Sequence, residues 1–281
     1  MISYLWGENV KKILILLISS MFVLAACGNN IENETKQTEN PKTEDVQKEK
    51  STSDEKEAKE QKETNEVQEE PLYTINKAIW SLEPLKEETN SKVALLTIDD
   101  APDKYALEMA ETLEKLNVNA IFFVNGHFLE TEEEKKILKD IYDKGFMIGN
   151  HTYSHRDLQT LSEKEQKEEI LSVNEQVEEI TGEKPVFFRA PFGHNTDYSK
   201  NLVKNEKMVL MNWTYGYDWD EAYTNKEALT DIMVNSEYLN HGANLLMHDR
   251  KWTNEALEDI VIGLQDKGYE MADPHTIETI N

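Results

Sequence analysis

KVALLTIDDAP, Lys92 to Pro102, reads as a buried strand that ends in two adjacent acids. The run from Val93 to Ile98 is apolar apart from Thr97. Such a run suits a strand covered on both faces, as in a parallel sheet. Successive strand residues point to opposite faces, so Asp99 and Asp100 should diverge, and they repel each other if both are ionised. The same kind of segment recurs down the chain, in AIFFVNG, FMIGNH, VFFRAP, MVLMNWT, ANLLMHD and YEMADP. Between these lie stretches with helical periodicity. One opens after Pro102, a second ends at Gly145, a third begins near Ser162, and others cover 197–205, 226–239 and 254–267. Seven strands alternating with about six helices predict an α/β fold with a parallel sheet, covered by helices and open to closure as a barrel.

In such folds the working groups gather at the C-terminal ends of the strands. Asp99 and Asp100 follow the first strand, His151 and His155 the third, Arg189 the fourth, Asp218 the fifth and His248 the sixth. A single mouth can collect them all.

Upstream of about Leu72 the composition is different. Lys11 and Lys12 precede the apolar run ILILLISSMFVLAA, which leads into Cys27, the one cysteine of the 281 residues. A basic start, an apolar stretch and small residues at its end make a secretory signal. The run is short for a membrane span, which needs about 20 residues. LAAC, Leu24 to Cys27, resembles the lipobox of bacterial lipoproteins, in which the chain is cut before the cysteine and lipidated there. Residues 27–71 carry mostly Glu, Lys, Gln, Thr, Asn and Ser. Such a composition cannot bury enough apolar surface to fold, so the segment is expected to be a disordered tether. The expected division is signal peptide 1–26, linker 27–71 and folded domain 72–281, lipid-anchored on the extracellular face of a bacterial membrane. A net charge of -25 argues against nucleic acid as a partner, and a monomer is expected.

His151 and His155 lie four apart, a spacing that on a helical turn points two imidazoles at one metal ion. Two histidines and one acid make a three-ligand site with room for water, which suits zinc or another divalent ion. The second acid is then free to act as general base, and a nearby cation relieves the repulsion between the pair. Arg189 has the chemistry to hold the base by its carboxylate, and His248 that of a proton donor to a leaving group.

Together these residues resemble the polysaccharide deacetylase family, the NodB-homology carbohydrate esterases. TIDD at Thr97–Asp100, HTYSH at His151–His155, RAPFG at Arg189–Gly193, DW at Asp218–Trp219 and LMH at Leu246–His248 match five family motifs in order. The resemblance implies a distorted (β/α) barrel of seven strands, with Asp99 as general base and Asp100, His151 and His155 as metal ligands. It implies that Arg189 holds Asp99, that His248 is the general acid tuned by Asp218, and that Leu246 and Trp219 wall the acetyl pocket. WTYGYDWD also offers Asp220 for the fourth motif. The implied activity is removal of N-acetyl groups from amino sugars of cell-wall polysaccharide, with peptidoglycan the expected substrate. The metal would be zinc, or else cobalt, nickel or manganese, and the Phe192 N–H would serve the oxyanion. The alternatives are a glycan-binding wall protein without catalysis and an O-acetyl esterase. The chain departs from the family at Ala101, where glycine is usual, and at Ala190, where proline is commoner. Alanine is penalised at position 101 if the backbone there needs a positive φ, and Ala190 should loosen its turn. His127, His194, His241 and His275 match no motif and are expected to be ordinary surface or loop residues.

Overall fold

The computed structural model describes residues 70–280. The signal segment, the Cys27 motif and residues 27–69 of the tether lie outside them. Among the described residues no helix is long and apolar enough to cross a membrane.

Seven parallel strands form one sheet: β3 (Val93–Ala101), β4 (Ile121–Val124), β5 (Met147–Asn150), β6 (Phe187–Phe188), β7 (Val209–Leu210), β8 (Ala243–His248) and β9 (Glu270–Met271). The spatial order is β7-β6-β5-β4-β3-β8, and β9 pairs with the start of β3. The sheet curls far enough for the stretch after β7 to reach β8 through an isolated parallel bridge between Tyr215 and Leu245. This is the distorted (β/α) barrel expected from the strand count. Sequence reading missed a small antiparallel hairpin, β1 (Tyr73–Ile75) and β2 (Leu82–Pro84), tied to the foot of β8 by the Leu82 N–H and the Gly242 carbonyl at 2.7 Å. Three residues per strand are too few to show a period.

The period-two pattern of β3 sorts its side chains. Ala94, Leu96 and Ile98 join one apolar cluster with the helices, while Val93 and Leu95 join another with Ile121, Phe123, Phe187, Val209 and Met211 from the neighbouring strands. Both faces are dry, which explains the unbroken apolar runs. Thr97 and Asp99 continue the second set towards the C-terminal ends of the strands. The helices are α1 (Ala106–Lys115), α2 (Glu132–Asp143), α3 (Glu163–Thr181), α4 (Asp197–Asn205), α5 (Lys226–Asn235) and α6 (Lys251–Asp266). Ser162 caps α3 in a capping box with Glu165. α5 stops four residues short of the periodic stretch, and α6 starts three residues before it.

Helix α1 has no side-chain cap of its own. Asp249, one residue past β8, supplies the cap from a distance. Its carboxylate accepts from the N–H groups of Asp103, Lys104, Tyr105 and Ala106 at 2.6–3.0 Å. The group is almost wholly buried, so water cannot easily replace it. Asp249→Ala should therefore cost about 2–4 kcal/mol in denaturant unfolding, because several donors lose their acceptor together. A loss below about 0.5 kcal/mol, the level of an ordinary surface change, would show that the turn finds other partners.

Candidate active site

The strand ends of the sheet open into a cavity of about 430 Å3 lined by Asp99, Asp100, His151, His155, His248 and Arg250, with Phe192, Trp213, Trp219 and Leu246 as apolar walls. A larger groove of about 730 Å3 lies elsewhere, along β1, α4 and the C-terminal residues, and none of its lining residues is a histidine.

The adjacent acids both reach the cavity because the strand breaks between them. Asp99 points inward by alternation. Asp100 takes a left-handed φ of 60°, and the register with β4 shifts between Ile98 and Ala101. Aspartate tolerates that conformation better than most residues. The positive φ therefore falls on Asp100, and Ala101 is not among the residues that carry one. Ala101 is a buried core residue, and its departure from glycine carries no backbone penalty. Ala190 stands at φ -72°, already the angle proline imposes. The turn after it is closed by Gly193 N–H to Ala190 O and His194 N–H to Pro191 O, both 3.0 Å, so alanine has not loosened it.

Asp100, His151 and His155 each offer one ligand atom, and these atoms lie within 4.8 Å of one another. The convergence matches the spacing expectation, but its cause differs. Residues 151–155 form a loop and not a helical turn, with left-handed Thr152 and His155 at φ 68° and 55°. Asn125 holds the loop by donating Nδ2 to the His151 and Thr152 carbonyls at 2.7 and 3.1 Å. His151 Nδ1 lies 2.7 Å from the Arg189 carbonyl. A carbonyl only accepts, so Nδ1 carries the proton and Nε2 presents its lone pair. Burial and then the neighbouring His155 pull the His151 pKa down to about 3, which keeps the ring neutral, the form that binds a metal. Two imidazoles and a carboxylate around an open cavity fit a divalent ion of the zinc type.

Arg189 is fully buried. Its Nη1 donates to Asp99 Oδ1 at 2.6 Å and to Thr97 at 2.8 Å, its Nη2 to the Asn212 carbonyl at 2.8 Å, and its guanidinium lies 4.2 Å from the Phe123 ring centre. Asp99 Oδ2 is left 3.5 Å from His151 Nε2. Burial holds the Asp99 carboxyl above its ordinary pKa, against the charges of Arg189 and His248. His248 stands level with Asp99 in the β3–β8 ladder. Its Nδ1 bonds Asp218 Oδ1 at 2.7 Å, and Asp218 Oδ2 accepts from the His248 N–H at 2.6 Å and from Thr253 at 2.7 Å. Burial lowers the His248 pKa, but the Asp218 charge and hydrogen bond, with Asp99 and Asp100 beyond, outweigh it and leave the imidazole more basic than usual. Asp218 is therefore the acid beside His248. Asp220 caps the 3-10 turn Glu221–Tyr223 instead.

Phe192 and Trp219 are 58% and 50% exposed, enough for a sugar ring to lie against them, while Leu246 is buried at the cavity wall. Phe192 has φ 59° and is the second residue of a 3-10 turn, where the N–H has no partner within the turn. Every expected site residue among those described thus lies at this cavity or in direct contact with one that does. Sequence reading missed Thr97, Trp213, Arg250 and Thr253. Thr97 stood inside the TIDD motif without being singled out, and the other three carried no signal. The four other histidines are exposed or half-buried, each with a local partner such as Tyr153 O for His127 and Asp157 for His194.

Residues 86–211 match the polysaccharide deacetylase family model. The peptidoglycan-N-acetylmuramic acid deacetylase PdaA of Bacillus subtilis is 31% identical over 64% of this chain and 69% of that protein. A peptidoglycan-N-acetylglucosamine deacetylase of Bacillus cereus is 29% identical over 64% of this chain and 66% of its own length. Among solved structures, a mutant CE4 family pseudoenzyme of Bacillus anthracis with restored enzymatic activity matches with a TM-score of 0.60 and 31% identity, over 66% of each chain.

Proposed function

We propose, on the premise that this chain belongs to the polysaccharide deacetylase family, that it is a metal-dependent hydrolase removing N-acetyl groups from cell-wall amino sugars, with peptidoglycan as substrate. One observation carries the reading: Asp99 and His248 stand level on neighbouring strands, each held by a buried partner, beside a three-donor cluster in the same cavity.

When bound by Asp100, His151 and His155, a divalent ion, zinc by the nitrogen-rich donor set, supplies Lewis acidity to the acetyl carbonyl and to water. Asp99 takes the proton from the attacking water through Oδ2, while Arg189 fixes Oδ1. The Phe192 N–H donates to the developing oxyanion. His248, held through Nδ1 by Asp218, gives a proton from Nε2 to the departing amine, so acetate and a free amino sugar leave. Phe192 and Trp219 lie against the sugar, and Leu246 with Trp219 bounds the acetyl group. His155→Ala should lower metal affinity by more than about 100-fold, since even groups that merely support a ligand are worth 10–100-fold. Elemental analysis of the purified variant checks this, and full occupancy would remove His155 from the ligand set.

The likeness to a wild-type CE4 family pseudoenzyme raises one rival in which turnover is lost, a wall protein that only binds glycan. The intact Asp99–Arg189 and His248–Asp218 pairs support catalysis over that rival. An O-acetyl esterase would use the same groups. Mass analysis of peptidoglycan fragments after digestion separates the readings: N-deacetylation leaves a free amine on the sugar ring, ester cleavage a hydroxyl, and simple binding no change.

We also place the chain on the outer face of the membrane, held by lipid on Cys27 through the tether, on the strength of the LAAC motif. Cys27→Ala should move the protein out of the mature membrane-bound pool, because two or more acyl chains hold firmly where none remains to do so. Unchanged processing and membrane retention in a fractionation experiment, with no acyl groups on the wild type, would remove the anchor.

A further inference from the structure

Among the described residues, Arg250 is the one that lines the cavity with a fixed positive charge. It is the N-cap of α6 and makes no side-chain cap there. Ser, Thr, Asp and Asn are the residues that favour this position, and the helix dipole disfavours a cation at it. Local structure therefore gives no reason for an arginine. Nor is its guanidinium fully used. Among the described residues its one hydrogen bond runs from Nη2 to Asp100 Oδ2 at a long 3.3 Å, and the buried Nε has no partner. The side chain is 41% exposed. Its backbone is fixed, with the Arg250 N–H on the His248 carbonyl at 2.8 Å and the Asn254 N–H on the Arg250 carbonyl at 2.9 Å. The result is a guanidinium with free donors on a fixed stretch of backbone, two residues from His248.

We infer that Arg250 is a specificity-determining residue that selects an N-acetyl sugar carrying a free carboxylate close to the acetamide. This rests on the deacetylase reading above and narrows its substrate. If His248 protonates the amine on one ring carbon, an acidic ether on the neighbouring carbon falls on the same side of the cavity. A lactyl group of the muramic type is such an ether. Guanidinium pairs with carboxylate through two parallel hydrogen bonds, which lysine cannot reproduce. A neutral N-acetylglucosamine unit offers nothing to this group. The two carboxylates of the lining, Asp99 and Asp100, are already engaged by Arg189 and by the metal cluster, so Arg250 is the group left to meet an anionic sugar.

The experiment compares kcat/KM of the zinc-loaded full chain on three oligosaccharides: one containing N-acetylmuramic acid with its free carboxylate, the methyl ester of the same compound, and an N-acetylglucosamine oligomer of equal length. The wild type should prefer the free acid over the ester by about 10–100-fold, the worth of a charge-assisted pair. Arg250→Gln should erase that preference while changing the neutral oligomer less than about threefold, with zinc content unchanged, and Arg250→Lys should restore part of it. Equal turnover of acid and ester by the wild type would overturn the inference and leave the deacetylase reading standing. Equal losses on all three substrates in Arg250→Gln would also overturn it, making Arg250 a support for Asp100 alone. Acetate from none of the three, with zinc bound, would sink the deacetylase reading and this inference with it.

Discussion

Asp99→Asn should keep the fold and the bound metal while turnover falls by about 10²–10⁴-fold, the usual worth of a general base. Asparagine has the shape of aspartate and can still accept the Arg189 Nη1 hydrogen bond that Asp99 Oδ1 receives at 2.6 Å. It cannot take a proton from water. Asp100, His151 and His155 remain, and their convergence depends on the 151–155 loop and the left-handed Asp100. Elemental analysis should therefore give wild-type metal content beside the lost rate. Near-normal turnover would make Asp99 a structural partner of Arg189 and assign the proton transfer elsewhere.

Arg189→Met should damage both the fold and the activity. The side chain is 0% exposed, and its removal takes from the buried Asp99 carboxylate its hydrogen-bonded counter-ion. It also leaves the Asn212 carbonyl without its 2.8 Å guanidinium donor. Breaking a buried pair by deleting one partner costs about 3–5 kcal/mol. Asp99, already pushed towards the protonated form by burial, would then hold its proton, so activity disappears with stability. The double change Arg189→Met with Asp99→Asn should regain part of the stability, because the unpaired charge is gone. Denaturant unfolding of the two single variants and the double measures this coupling. A cost below about 1 kcal/mol for Arg189→Met would mean that water reaches the pair.

The sheet was legible because β3, β4 and β8 are buried on both faces and so read as apolar runs. β6 and β7 keep only two residues each in regular pairing, yet their flanking apolar residues still marked them. The hairpin β1–β2 was not legible, since its order comes from tertiary bonds to Gly242 and Thr276. At the site, residue types and spacing identified His151 and His155, but not the loop that joins them. That loop depends on contacts far along the chain, such as the Asn125 amide and the Glu169 carboxylate on Ser154 N–H at 2.8 Å. The choice of Asp218 over Asp220 likewise needed the fold, because only the position of Thr253 and His248 distinguishes two acids two residues apart. Asp249 follows the motif residue His248 directly, and Arg250 comes next. Nothing in their order says that one caps α1, more than 140 residues earlier in the chain, and the other lines the cavity.

Acetate release from N-acetylated peptidoglycan by the purified zinc-loaded chain, measured beside the Asp99→Asn variant with equal metal content, separates an enzyme from a binding protein. The wild type should release acetate and free amines in equal amounts, lose both on chelation and regain them when zinc is returned. Release no higher than that of Asp99→Asn, with zinc fully bound in both, would contradict the account and leave a glycan-binding protein with the architecture of an enzyme.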